Sequence, residues 1–197
     1  MLKNKKVSVF CSSSNDVSAA FQSAAQRLGE QLAERSCTLI FGGSSMGLMR
    51  IVADAVLDHK GQVKGVMPEF MREVEWNYQR LSQEQMLWTD SMASRKEVLI
   101  GEADAIICLP GAVGTLEEVA EALSLKRLGR CFAPVVFINT NDFYTPLVEW
   151  LELTIKEQLM RDEHQEMWYL ASDVDDALRY LDGAPEWPQD AVRFAAR

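Results

Sequence analysis

Strand-length apolar runs alternate with helical patterns along this chain, which predicts an α/β fold. The expected form is Rossmann-like: a doubly wound, mostly parallel sheet in a three-layer α/β/α sandwich. Two further observations support it. The run Ala105-Ile106-Ile107-Cys108-Leu109 leads through Pro110-Gly111-Ala112-Val113-Gly114-Thr115 into a helical pattern of Leu116, Val119, Ala120, Leu123 and Leu128. That order is strand, Gly-rich turn, helix. In addition, three strand-ending turns carry small or hydroxyl residues, at 12–14, 42–47 and 111–115. All three would share the edge of the sheet where ligands of such folds bind.

Val7-Ser8-Val9-Phe10-Cys11 reads as a short buried strand, closed by the hydroxyl-rich turn Ser12-Ser13-Ser14-Asn15-Asp16. A helix pattern covers 18–35. Thr38-Leu39-Ile40-Phe41 is the second strand and enters Gly42-Gly43-Ser44-Ser45-Met46-Gly47, with a helix following to about His59. Val63-Lys64-Gly65-Val66, closed by Pro68, is the third strand. Residues 68–89 mix charged, aromatic and amide side chains without a period and read as a long loop or a broken helix. A helix over 91–102 precedes the strand at 105–109. Pro134-Val135-Val136-Phe137-Ile138 is the fifth strand. A helix over 144–160, a short strand at 167–170 and a helix over 173–181 complete one nucleotide-binding domain at 1–182. Residues 183–197, with Pro185 and Pro188, form a C-terminal tail that wraps the surface or frays.

The composition, 48% hydrophobic and 25% charged over 197 residues, supports one globular domain with a real core. The start, Met1-Leu2-Lys3-Asn4-Lys5-Lys6, passes directly into a strand, and no apolar run has membrane-spanning length. A cytoplasmic protein without a membrane partner is expected. Cys11, Cys37, Cys108 and Cys131 are widely spaced and are expected as buried free thiols. A formal net charge of −9 argues against a nucleic-acid polymer as partner, which needs a basic face. It does not exclude a small anion, because a local nest of backbone N–H groups can overcome the global field.

The turn at 110–115 aims free N–H groups and the positive end of a helix at whatever sits above it, which favours a phosphate. Neither Gly-rich turn continues into Gly-Lys-Ser/Thr, so neither is a Walker A loop, and neither is a clean GxGxxG fingerprint. Glu118 allows two readings. Thr115 to Glu118 fits a T-x-x-E capping box, in which the carboxylate bonds the Thr115 N–H. Alternatively, the carboxylate stands beside a bound sugar phosphate and stabilises positive charge or activates water. Arg95-Lys96 near a helix start oppose the macrodipole. They are either solvated surface charges or partners of an anionic ligand. His59 and His164 read as surface caps near helix ends, and nothing singles out a metal site or a cofactor.

Four stretches, Phe10-Cys11-Ser12-Ser13-Ser14, Phe41-Gly42-Gly43-Ser44-Ser45-Met46-Gly47-Leu48-Met49, Met92-Ala93-Ser94-Arg95-Lys96 and Pro110-Gly111-Ala112-Val113-Gly114-Thr115-Leu116-Glu117-Glu118, resemble the Lonely Guy family. These are cytokinin riboside 5′-monophosphate phosphoribohydrolases, often mislabelled lysine decarboxylases. Order and spacing agree from about Val7 to Leu181. The resemblance implies a homodimeric hydrolase, a nucleosidase that cleaves the N-glycosidic bond of a purine nucleoside 5′-monophosphate such as AMP or an N6-modified, cytokinin-type AMP. The products are free base and ribose 5-phosphate, and no cofactor is needed. It places Arg95 and Glu118 at the catalytic positions. Lys96 and the run Ala112, Val113, Gly114, Thr115, Glu117 take substrate-binding positions, and Ser124 stands where the family often has threonine. Ser13, Gly42, Gly43, Ser44 and Gly111 join them from the converging turns, and Glu75 is a candidate from the irregular 68–89 stretch. This chain departs from the family pattern at Ala112 (for the second glycine of PGG), Ala93 (for a histidine), Ser44 and Arg50 (for glycines). If Ala112 needs φ > 0 it costs about 1–2 kcal/mol. The alternative function is a nucleotide-binding protein of the same fold with little turnover, recognised by nucleotide-dependent stabilisation without product.

Overall fold

The computed structural model of the chain describes residues 1–74 and 77–195, with only the backbone of Glu73 and Val74. Among the described residues, seven strands form one parallel sheet: β1 (Lys6–Phe10), β2 (Thr38–Phe41), β3 (Gln62–Pro68), β4 (Met86–Thr89), β5 (Ala105–Cys108), β6 (Val135–Ile138) and β7 (Trp168–Ala171). Their order is β4-β3-β2-β1-β5-β6-β7. β1 pairs β2 on one side and β5 on the other, with Val7 opposite Leu39 and Ala105. The chain winds outward from β1 to β4, then returns to start the other half at β5. The switch point of the doubly wound sheet therefore lies between β1 and β5.

Among the described residues, six α-helices divide between the two faces. α1 (Ala19–Glu34), α2 (Gly47–Asp58) and α6 (Val174–Asp182) cover one. α3 (Met92–Gly101), α4 (Val113–Arg127) and α5 (Thr145–Lys156) cover the other. The strands explain this. Along β1, Val7 and Val9 enter the first layer and Phe10 the second. Along β5, Ala105 and Ile107 enter the first and Ile106 and Cys108 the second. Apart from the buried Ser8 of β1, both faces of these strands are apolar, as a sheet sandwiched between helices requires. Phe10, Phe41 and Phe137 are among the largest fully buried side chains; burial of each contributes about 1.5–3 kcal/mol. Helix starts follow local chemistry. Ser18 caps α1 by accepting from the Phe21 N–H, Ser91 caps α3 through Ser94, and Asp173 caps α6 by accepting from Asp176.

The structure corrects four expectations. Residues 68–89 are not simply a loop or broken helix, because Met86–Thr89 adds the parallel edge strand β4 beyond a 3-10 turn at Glu69–Val74. The helix expected over 144–160 stops at Lys156, where Glu157 caps it and Gln158 turns to φ 61°. α4 begins at Val113 rather than at a Thr115 cap. His164 is fully buried rather than on the surface; its Nδ1 accepts from the Arg161 N–H at 3.0 Å. All four cysteines are free and buried, as expected.

The tail packs against α4. The Trp187 indole donates to the Lys126 carbonyl at 2.7 Å, and its ring lies 5.1 Å from the Lys126 ammonium. No described helix is long and apolar enough to cross a membrane.

Candidate active site at the sheet switch point

The C-terminal ends of β1, β2 and β5 release three turns that are hydrogen-bonded to one another. The Ser12 N–H donates to the Pro110 carbonyl at 3.0 Å, and the Leu48 N–H donates to the Ser12 carbonyl at 2.9 Å. The Gly47 N–H donates to Asn15 Oδ1 at 2.9 Å. Above them is a cavity of about 280 Å³ lined by Cys11, Ser12, Ser13, Ser14, Met49, Arg95, Ala112, Gly114, Thr115 and Glu118.

Two glycines bring the walls close. A Cβ on Gly111 would lie 2.1 Å from Thr115 Oγ1, so only glycine lets the turn close on the first residues of α4. A Cβ on Gly42 would lie 2.2 Å from Arg95 Nη2, so this glycine makes room for the guanidinium. Ala112, the N-cap of α4, has φ −100° and ψ −149°. It is outside the left-handed region, and alanine carries none of the strain that a positive φ would impose. The first turn of α4 contains no acidic residue. Its leading N–H groups lack helical acceptors, which suits an anion beside Thr115.

The floor is an ion pair. Arg95 Nη1 donates to Glu118 Oε1 at 2.9 Å, and Arg95 Nε donates to the Val66 carbonyl at 3.0 Å. The side chains are 8% and 6% exposed. Solvated surface charge is therefore excluded for Arg95. The capping-box reading of Glu118 also fails. Thr115 is the third residue of α4, so Glu118 falls in the second turn and faces Arg95 instead. Burial pushes the Glu118 carboxyl above its ordinary range, and the adjacent Arg95 charge partly opposes that rise. The thiols of Cys11 and Cys108 are pushed up by burial, then by the nearby Glu118 charge.

The remaining expected residues are distributed around this cavity. Ser13, Ala112, Gly114 and Thr115 line it with Arg95 and Glu118. Gly111 and Val113 line an adjoining apolar hollow with Phe143, Tyr144 and Leu147. Gly43 accepts the Tyr78 N–H through its carbonyl at 2.8 Å, and buried Ser44 forms an isolated bridge with Asn77. Lys96 turns away to Glu117 and Glu121, 2.6 Å from each. Ser124 lines a groove between α4 and α5. Arg50 is half-exposed and pairs with Asp54 at 3.5 Å. Glu75 lies outside the described residues. Cys11 and Met49 line the cavity although the sequence did not single them out; an apolar side chain at a strand end or helix start carries no chemical signature. Among the described residues, no three His, Cys, Asp or Glu side chains gather as a metal site would require.

A family profile described as "Possible lysine decarboxylase" matches residues 49–181. A probable cytokinin riboside 5′-monophosphate phosphoribohydrolase of Oryza sativa subsp. japonica is 34% identical over 188 residues, covering 95% of this chain and 76% of that protein. The chain belongs to the Lonely Guy family. An Arabidopsis thaliana member, named a cytokinin riboside 5′-monophosphate phosphoribohydrolase, is 32% identical over 178 residues, 90% of this chain and 81% of its own. Among solved structures, the molybdenum cofactor carrier protein of Chlamydomonas reinhardtii has the same fold, with a TM-score of 0.68 at 20% identity, covering 91% of this chain and 97% of that one. Within the Lonely Guy pattern, the arginine of the RK motif and the second glutamate of the turn-and-helix motif are the two residues joined at the cavity floor.

Proposed function

We propose that this chain is a phosphoribohydrolase that cleaves the N-glycosidic bond of purine nucleoside 5′-monophosphates, AMP or an N6-modified cytokinin-type AMP. The observation that carries the reading is the buried Arg95–Glu118 pair at the floor of a cavity whose rim is the N-terminus of α4. The 5′-phosphate sits at the N–H groups of residues 112–115, with the Ser13 and Thr115 hydroxyls beside it. Held there, it supplies remote binding energy for bond cleavage. The C1′–N9 bond breaks with its electron pair leaving on the base. The ribose passes through an oxocarbenium-like state that the Glu118 carboxylate stabilises. A water oxygen then bonds C1′, and its proton balances the charge of the departing base. Arg95 favours the ionised form of Glu118 against the effect of burial and holds the carboxylate in place.

The proposed molecule is a cytoplasmic homodimer. Free buried thiols suit a reducing compartment. The groove between α4 and α5, lined by Leu116, Leu123, Leu147, Trp150 and Leu151, leaves an apolar face for a second copy. The test is release of free base, followed by chromatography, from AMP, N6-isopentenyl-AMP and adenosine. Both monophosphates should be cleaved and adenosine should not. Equal release from adenosine, or none from either monophosphate, removes the reading.

A further inference from the structure

We infer that Lys96 is a positioning residue: with Glu117 and Glu121 it forms an ionic clamp between α3 and α4 that fixes where the Arg95 guanidinium meets Glu118. This rests on the cavity above Arg95 and Glu118 being the reaction site.

α3 packs on β3 and β4, whereas α4 lies over β1, and the two helices make little direct backbone contact. Side chains therefore set their spacing. Two neighbours on α3 reach α4 by different routes. Arg95 takes the buried route to Glu118. Lys96 takes the more exposed one to Glu117 Oε1 and Glu121 Oε2, each at 2.6 Å. Glu117 and Glu121 are four residues apart and so share one helix face. A lysine bonded to both is tied at two successive turns, which resists sliding as well as separation.

The same geometry separates Lys96 from the ligand. It does not line the cavity. Its side chain is only 11% exposed, and two of its three ammonium protons are engaged by carboxylates. A cation flanked by two anions offers a phosphate no net attraction. What Lys96 can influence is Arg95, its neighbour in sequence. Displacement of a group that supports the reacting centre by about 1 Å can cost about 100-fold in rate.

The test uses the full chain with Lys96→Met, Lys96→Arg and the double variant Glu117→Gln/Glu121→Gln. Steady-state kinetics on AMP and N6-isopentenyl-AMP supply the first readout. Lys96→Met should lower kcat by about tenfold or more with KM within about threefold. The double variant should do the same, and Lys96→Arg should restore most of the turnover. The second readout is the NMR signal of the Arg95 Nε–H, assigned by its loss in Arg95→Lys. Its protection from solvent exchange should fall in Lys96→Met and in the double variant. A raised KM at unchanged kcat would make Lys96 a phosphate ligand instead. A double variant with wild-type kcat, or a lower Tm with kcat and the Arg95 signal unchanged, would also overturn the inference. If the wild-type chain cleaves no monophosphate, the hydrolase reading fails, and the NMR readout still decides the clamp.

Discussion

Arg95 and Lys126 are both buried cations, 6% and 2% exposed, and the chain holds them in opposite ways. Arg95 meets a carboxylate at the floor of a cavity. Lys126 meets the carbonyls of Ala133 at 2.8 Å and Phe132 at 3.4 Å, and the Trp187 ring above. These partners carry no formal charge, so burial dominates and the Lys126 ammonium is pulled down to about 8. Beside Arg95, burial instead lifts the Glu118 carboxyl. A buried charge with an ionisable partner at a cavity can act on a ligand. One surrounded by backbone oxygen can only tie a corner of the fold, here the α4–β6 connection and the tail.

Breaking the pair should give the largest effect. Arg95→Ala leaves Glu118 buried without its cation and should cost about 3–5 kcal/mol of stability, measured by urea unfolding at neutral pH. Glu118→Gln should bind AMP, seen as thermal stabilisation, yet lose about 100-fold or more in release of free base. Retained turnover would reduce Glu118 to a structural partner of Arg95. Lys126 makes a prediction of a different kind. Its folded pKa of about 8 lies below the unfolded value of 10.5, so between these the unfolded chain binds more protons and stability rises with pH. The gain across that window should be on the order of 3 kcal/mol and should vanish in Lys126→Met. The buried thiols, pushed up by burial, pull the wild-type curve the other way, so the effect is read as the stability of wild type minus that of Lys126→Met; a difference that stays flat from pH 8 to 10.5 would overturn it. The smallest change is Trp187→Phe, which keeps a ring over Lys126 but loses the indole bond to its carbonyl. It should cost about 0.5–1.5 kcal/mol, read from the urea midpoint.

The two cations also mark where sequence reading ends. Continuous apolar strands and capped helices were legible because both are local patterns. Arg95 stood out because adjacent cations near a helix start oppose its dipole, Glu118 because a carboxylate beside a Gly-rich turn is chemically conspicuous, and the family pattern gave both roles. Their contact was not legible: it joins two helices across β3 and β1, and spacing within one helix cannot show it. The local T-x-x-E pattern pointed the wrong way, since α4 starts two residues before Thr115. Nothing in the sequence marks Lys126, because the tail residue that covers it, Trp187, is distant in the chain. β4 was missed because Met86-Leu87-Trp88-Thr89 is short, sits at the sheet edge and leaves Leu87 exposed, so no run announces it.

The placement of β1 has a consequence in time. It precedes the other six described strands in the chain and sits in the middle of the sheet, but its partner on one side is β5, with Val7 waiting for Ala105. At translation rates of about 5–20 residues per second, that wait lasts roughly 5–20 seconds. During it, one edge of an apolar strand has no native partner, and the cavity wall at residues 11–14 meets only the first turn of α2 at 47–49. Such long-range parallel pairing folds slowly. The walls of the site can therefore meet only once α4 has been made, while β6, β7 and the tail that packs on α4 are still to come.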